Sequence, residues 1–132
     1  MLKEIPIKTK SHSQMLDITA AVQTAVSETG VATGICHVFV PHTTAGVTIN
    51  ENADPTVVSD FLRETDKIVP WHDGYQHLEG NSAAHIKASM MGFSQAIFIE
   101  NGRLVLGTWQ GIYFCEFDGP RSRKVVVKVI EG

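Results

Sequence analysis

Val38-Phe39-Val40-Pro41-His42-Thr43-Thr44-Ala45-Gly46-Val47-Thr48-Ile49-Asn50-Glu51-Asn52 is the stretch whose reading decides the fold. An apolar run ends at Pro41 and passes at once into the hydrogen-bonding side chains of His42, Thr43 and Thr44. A short alternating segment follows, Val47 and Ile49 against Thr48 and Asn50, and leads into Glu51, Asn52 and Asp54. Buried strands deliver polar groups to their rims in this way, and ligands are met at such rims. The stretch predicts two short strands, the second paired to the first, and a site walled by strand ends.

Upstream, Ile35 to Val40 is apolar at nearly every step, which predicts a strand covered on both faces. His37 interrupts it and reads as a hydrogen-bonded core histidine. Leu2 to Ile7 reads as a strand, with Pro6 placing it at a sheet edge, and residues 8–14 read as a polar loop. Asp17 or Thr19 can cap a helix that runs to about Glu28. Its apolar stripe is Ile18, Val22, Ala25 and Val26, and Gly30 is placed to end it.

Downstream, Asp54-Pro55 is a helix start: the carboxylate caps free amides and Pro55 suits the first helical position. Val57, Val58, Phe61, Leu62, Ile68 and Val69 recur at helical spacing until Pro70. Residues 71–80 hold Gly74, His72 and His77 and read as loop. Ser82 caps a short helix to Met91, closed by Gly92, whose small residues Ala83, Ala84, Ala88 and Ser89 permit close backbone approach. From Ser94 the chain turns β-rich, with strands expected at 96–99, 104–106, 112–117 and 125–130. Asn101-Gly102 makes a two-residue hairpin turn and Asp118-Gly119-Pro120 another turn. The order predicts an α+β fold, about three helices on mostly antiparallel sheet, as a single domain over residues 1–132.

The chain has 132 residues, 43% hydrophobic and 19% charged, the balance of one packed domain. A net charge of -3 and a pI near 6.0 argue against nucleic acid or an anionic membrane as partner. No apolar run approaches the roughly 20 residues of a membrane helix, and Met1-Leu2-Lys3-Glu4-Ile5 lacks the layout of a signal peptide. Cys36 and Cys115 lie far apart inside apolar runs and read as small buried hydrophobes. A reducing cytoplasm is the expected setting.

Of the six histidines, His12 and His72 read as solvated loop residues. His42, His77 and His85 each stand at an element boundary: a strand end, a loop, the first turn of a helix. Three imidazoles so placed either ligate Zn²⁺ or a similar ion, leaving a fourth position open, or serve independent polar roles. His85 also lies where helix amides and dipole favour an anion, whereas Lys87 cannot share its helix face. Turn chemistry accounts for Asn52 and Asp54 but not for Glu51, which is an acid/base group or a partner to a histidine.

Gly107-Thr108-Trp109-Gln110-Gly111 offers a stacking face beside an amide, or a kinked connection whose Trp fills core. Glu116 shares a strand face with Ile112 and Phe114 and needs a cation, for which Arg121 or Arg123 is nearest. Arg121-Ser122-Arg123-Lys124 reads either as an anion site or as a solvated strand start.

Taken together, Pro41-His42-Thr43-Thr44 through Asp54-Pro55, Ala84-His85-Ile86-Lys87-Ala88-Ser89, Ser94 to Gly102 with Gly107-Thr108-Trp109-Gln110-Gly111-Ile112, and Arg121-Ser122-Arg123 resemble, in order, the motifs of the YjbQ-like family. That family is also called the secondary thiamine-phosphate synthase enzyme family. The resemblance covers essentially the whole chain. It implies a small α+β domain, commonly a homotrimer with sites near subunit contacts, and a weak thiamine-phosphate synthase activity that joins a pyrimidine diphosphate to a thiazole phosphate. It puts forward a divalent metal, Zn²⁺ or Mg²⁺, on His42, His77 and His85, and Glu51, Glu116 and Lys87 as catalytic groups. Thr43, Asn50, Thr108, Trp109, Gln110, Arg121 and Arg123 would meet the phosphorylated substrate. Two other readings stay open: a metal-dependent hydrolase or lyase, and a non-catalytic module binding a phosphorylated metabolite.

Overall fold

In the computed structural model, which describes residues 2–132, strand β7 (Gln110–Glu116) carries most of the packing. Six of its seven residues are buried, all but the first. Ile112 and Phe114 point into one core, and Tyr113 and Cys115 into another on the opposite face. A strand covered on both sides reads as a continuous apolar run, and Ile112-Tyr113-Phe114-Cys115 is one.

Around β7 the elements follow in chain order: β1 (Leu2–Lys8), β2 (Gln14–Asp17), α1 (Thr19–Thr29), β3 (Gly34–Phe39), β4 (Ala45–Glu51), α2 (Pro55–Ile68), α3 (Ser82–Met91), β5 (Ser94–Glu100), β6 (Arg103–Leu104), β7, and β8 (Ser122–Glu131). One sheet has the strand order β1-β8-β3-β5-β6 and the other β2-β7-β4. Every pairing between them is antiparallel. Between the sheets, Cys36, Val38, Ile97, Val125 and Val127 meet Val22 and Val26 of α1 and Val47 and Phe114 of the second sheet. On the far side of the second sheet, Met15, Tyr113, Cys115 and Phe117 pack on Ala84 and Ala88 of α3 and on Phe61 and Leu62 of α2. Burying each of the large apolar side chains contributes about 1.5–3 kcal/mol. α3 can seat this closely because a Cβ at Gly46 would stand only 2.7 Å from the carbonyl oxygen of Gly92.

The α+β class, the three helices and the antiparallel sheets agree with the sequence reading, as does the edge position of β1. So do the stripe of α1, the αL residue Gly30 that closes it, and the Asp54 cap of α2. The Asn101-Gly102 turn is present, with φ values of 52° and 75°. Four expectations are corrected. The strand after His42 pairs with β7, not with β3, and so belongs to the other sheet. β3 is buried on one face only: Cys36 and Val38 point inward while His37 and Phe39 are exposed, so His37 is no core histidine. β2 begins at Gln14, the last residue of the expected loop, and runs on to Asp17, a candidate helix cap; it is four residues long, too short to show a period. Asn81, not Ser82, stands at the N-cap of α3. Both cysteines are buried and free, and no helix among the described residues is long and apolar enough to cross a membrane.

Candidate functional site at the end of β7

β7 ends at Glu116, and the turn after it returns the chain as β8, so that Arg123 comes back beside the carboxylate. Glu116 is fully buried, and a buried charge survives only when paired and hydrogen-bonded. Its Oε1 accepts from Thr9 Oγ1 and Arg123 Nε, each at 2.8 Å. Its Oε2 accepts from the Asp118 amide at 3.0 Å and from Arg123 Nη2. Burial alone would raise the carboxyl pKa, but the bonds from Arg123, Asp118 and Thr9 outweigh it and hold the group below its ordinary value. Arg123 Nη2 also donates to Thr44 Oγ1 at 2.8 Å. The remaining guanidinium nitrogen, Nη1, has no protein partner among the described residues, in a side chain that is otherwise buried. The result is a guanidinium locked through Nε and Nη2, with Nη1 left unpaired within the chain.

His42 lies beside this pair. Its Nε2 accepts the Lys124 amide at 3.0 Å. Burial lowers its pKa, and the Arg123 charge lowers it further. The ring is therefore neutral near pH 7 with its proton on Nδ1, a donor at the rim. Phe39, Val40, Pro41, Thr43 and Phe93 form a shallow apolar cleft around it of about 290 Å³. On the other side of the turn, Asp118 Oδ2 accepts from Asn81 Nδ2 at 2.9 Å and from Arg121 Nη2 at 3.1 Å. His12 Nε2 lies 3.9 Å from Asp118 Oδ1 and stands edge-on to Trp71.

The proposed metal set divides. The His77 and His85 rings meet at 5.5 Å, nearly perpendicular. His42 has its Nε2 lone pair committed to the Lys124 amide. Among the described residues no group of three His, Cys, Asp or Glu side chains is arranged to hold a metal ion, so the three-histidine centre does not assemble within one chain. Lys87 is buried; its Nζ lies 2.7 Å from Asp66 Oδ1 and 5.8 Å from the Phe117 ring centre.

The substrate set divides as well. Glu51 pairs with Gln110 and Asn50 with Gly111, at the start of β7. There Gln110 Oε1 accepts the Gly107 amide at 2.8 Å, Asn50 Oδ1 accepts the Glu51 amide at 2.7 Å, and Trp109 is 62% exposed beside Thr108. Trp109 therefore does not fill core. A strand of this length spans roughly 20 Å, which separates Glu51, Asn50, Thr108, Trp109 and Gln110 from Thr43, Glu116, Arg121 and Arg123 within a single chain. Sequence reading missed Thr9, His12, Asn81 and Asp118 as members of the far rim. Thr9 and His12 sit in what reads as featureless polar loop, and nothing in their spacing marks them.

A two-sheet α+β domain that gathers cations and imidazoles at the end of one doubly buried strand is the class this chain defines. Residues 3–132 match the model of the UPF0047 protein YjbQ-like family, and the chain belongs to that family. It is 55% identical to the UPF0047 protein YugU of Bacillus subtilis over 98% of this chain and 99% of that protein. A UPF0047 protein of Methanocaldococcus jannaschii is 52% identical over 98% of this chain and 94% of its own length. Among solved structures, a yjbq/upf0047 family protein from Clostridium acetobutylicum superposes with a TM-score of 0.96 at 62% identity, covering 97% of this chain and 99% of that one. A YbjQ-like protein of unknown function from Sulfolobus solfataricus superposes at 0.95 with 30% identity, covering 100% and 97%.

Proposed function

We propose that the chain binds a phosphorylated small molecule at the rim where β7 turns into β8 and acts on it as an enzyme. The observation that carries this is Arg123. Its guanidinium is fixed by Glu116 and Thr44 yet leaves Nη1 without a protein partner, and a pre-oriented guanidinium nitrogen is a strong phosphate donor. The Nδ1–H of neutral His42 adds a donor beside it, and Arg121 and Lys124, paired with Asp118 and Glu4, supply further cations that an anionic ligand would compete for. The reaction to test first is the one the family resemblance implies, the joining of a pyrimidine diphosphate to a thiazole phosphate. There the departing pyrophosphate takes the bond's electron pair, and fixed cations stabilise the charge that develops. Glu116 has both oxygens occupied, so in this reading it holds Arg123 in place and moves no proton.

His77 and His85 supply two of the donors a divalent ion takes, and imidazole favours Zn²⁺ over Mg²⁺. No step above depends on such an ion. Metal analysis of the purified protein and of His85→Ala tests it separately, and equal metal content in the two would remove it. The assembly that fits is a homotrimer joined through the outer face of the larger sheet, where Ile35 lies between Phe98 and Ile130 in register and Phe39 is also exposed. Light scattering tests this, and a monomer would overturn it. Buried free cysteines suit a cytoplasmic setting.

The function is tested by calorimetric titration with thiazole phosphate and with pyrophosphate, followed by a turnover assay for thiamine phosphate. Both ligands are expected to bind, and Arg123→Lys is expected to weaken them by about 10- to 100-fold, the worth of one charge-assisted bond. If neither ligand binds, the reading fails.

A further inference from the structure

A second cleft lies away from the phosphate rim, at the opposite end of the smaller sheet, and the function proposed above makes no use of it. It encloses about 660 Å³ between α1, β6 and the end of β2, within the usual range for small-molecule sites. Its two charged linings are Asp17 and Arg103, and its apolar floor is Ala20, Leu104 and Leu106.

The two charges do not pair with each other. Arg103 takes part in no ion pair among the described residues, and neither does Asp17. The carboxylate is held in place instead. Asp17 Oδ1 accepts from the Thr19 amide at 3.0 Å and from the Thr19 hydroxyl at 2.6 Å, while Oδ2 accepts from Asn52 Nδ2 at 3.2 Å. Burial works against ionisation, but these bonds outweigh it and keep Asp17 charged at neutral pH. The wall behind is equally fixed: Gln23 accepts the Leu104 amide at 2.9 Å and donates to Gly102 O at 3.0 Å, stitching α1 to the β5–β6 hairpin.

A fixed anion and a free cation that face one cleft without neutralising each other, over an apolar floor, are complementary to a ligand with the reverse arrangement. We infer that this cleft binds a small zwitterion of the α-amino-acid class, its ammonium on Asp17, its carboxylate on Arg103 and a short aliphatic side chain over Leu104 and Leu106. The exposed Trp109, whose carbonyl accepts the amide of Asn52, belongs to the same end of the molecule. On this assignment the Asn52 side chain is a positioning group, acting on the ligand through Asp17. The inference is independent of the phosphate reading, which concerns the other rim.

The test is an amide-resolved NMR titration of the full chain with L-leucine, isocaproate and isoamylamine. The last two carry the same aliphatic body with one charge each. Saturable shifts at Thr19, Arg103 and Leu104 are expected with leucine, at an affinity at least about tenfold above either half-ligand, since each lost ionic bond is worth that much. Arg103→Gln should remove the preference for leucine over isoamylamine. Asp17→Asn keeps an acceptor for Thr19 and should remove the preference over isocaproate, with thermal melts confirming that both variants are folded. The inference is overturned if leucine gives no saturable shifts at the cleft, if isocaproate binds as tightly as leucine, or if both folded variants bind leucine like the parent chain. Phosphate titration of the same samples reads the other rim independently, so failure here leaves that reading standing.

Discussion

Replacing Glu116 with Gln tests whether this buried carboxylate is a structural counter-ion or a proton-transfer group. The carboxylate accepts four donated bonds: Thr9 Oγ1, Arg123 Nε, Arg123 Nη2 and the Asp118 amide. A Gln side chain keeps the shape, but its Nε2 turns a donor toward donors and its carbonyl cannot serve all four. Arg123, only 9% exposed, is left with no anion. Removing one partner of a buried ion pair costs about 3–5 kcal/mol, because the other charge stays desolvated. For a domain of this size that lowers the melting midpoint by roughly 10–20 °C. Urea unfolding monitored by circular dichroism gives the free energy, and calorimetry gives the midpoint. The companion variant Glu116→Leu/Arg123→Met removes both charges and should lose less than Glu116→Gln does. A loss under about 1 kcal/mol for Glu116→Gln would refute the reasoning. It would mean that the pair is effectively solvated and that Glu116 is free for other chemistry.

Gly46→Ala forces a Cβ to within 2.7 Å of Gly92 O and 3.1 Å of Ala88 O; unseating α3 should cost about 1–3 kcal/mol in urea unfolding. Lys87→Met replaces a buried ammonium whose partner Asp66 is itself 66% exposed and can return to water. Stability should therefore change by no more than about 1 kcal/mol or rise, and a larger loss would show that the ion pair holds α2 to α3. Stability should also fall with acid in two stages. The folded pKa of His42 lies below its ordinary 6.5, so the unfolded chain binds the extra proton and stability drops as pH falls from about 6.5 toward the folded value. The folded pKa of Glu116 lies below 4.5, so the stability it contributes is present above that value and is lost as pH falls through the folded one. Asp17 and Asp54, also lowered, add to the second stage. His42→Gln should abolish the first stage and leave the second, as read by melting midpoints across the range.

Local chemistry was legible. Asp54-Pro55, Gly30 and Asn101-Gly102 carry their own conformational instructions and appear where their side chains and φ angles require. Apolar runs were legible as strands, but not as partners. Ile35–Val40 reads as doubly covered, yet its strand is buried on one face only, whereas Ile112–Phe117, which reads simply as a strand, is the one covered on both. Pairing depends on which sheet a strand joins, and that is decided by contacts far along the chain, such as β4 with β7. The requirement that Glu116 find a cation was legible because burying a lone carboxylate is so costly. The identity of the other bonding partners was not. Thr9 and Asp118 reach Glu116 through a hydroxyl and a backbone amide, groups that every polar loop offers.

The same limit explains why the candidate residues looked like one site. In sequence, Thr43 and Glu51 stand eight positions apart, and the motif reads as continuous between them. Once Ala45–Glu51 extends as a strand, its two ends face opposite rims of the sheet, each against one end of β7. The polar residues before β4 join Glu116 and Arg123, and those after it join Gln110, Asp17 and the cleft beside α1. A single motif therefore supplies two separate places, one with an unpaired guanidinium nitrogen near a neutral imidazole, the other with an oriented carboxylate near an unpaired arginine. Their charge patterns differ, so one ligand class does not serve both rims within a single chain. Mutations at Arg123 and at Arg103 should accordingly affect different ligands, and strong coupling between the two would require the rims of neighbouring copies to meet.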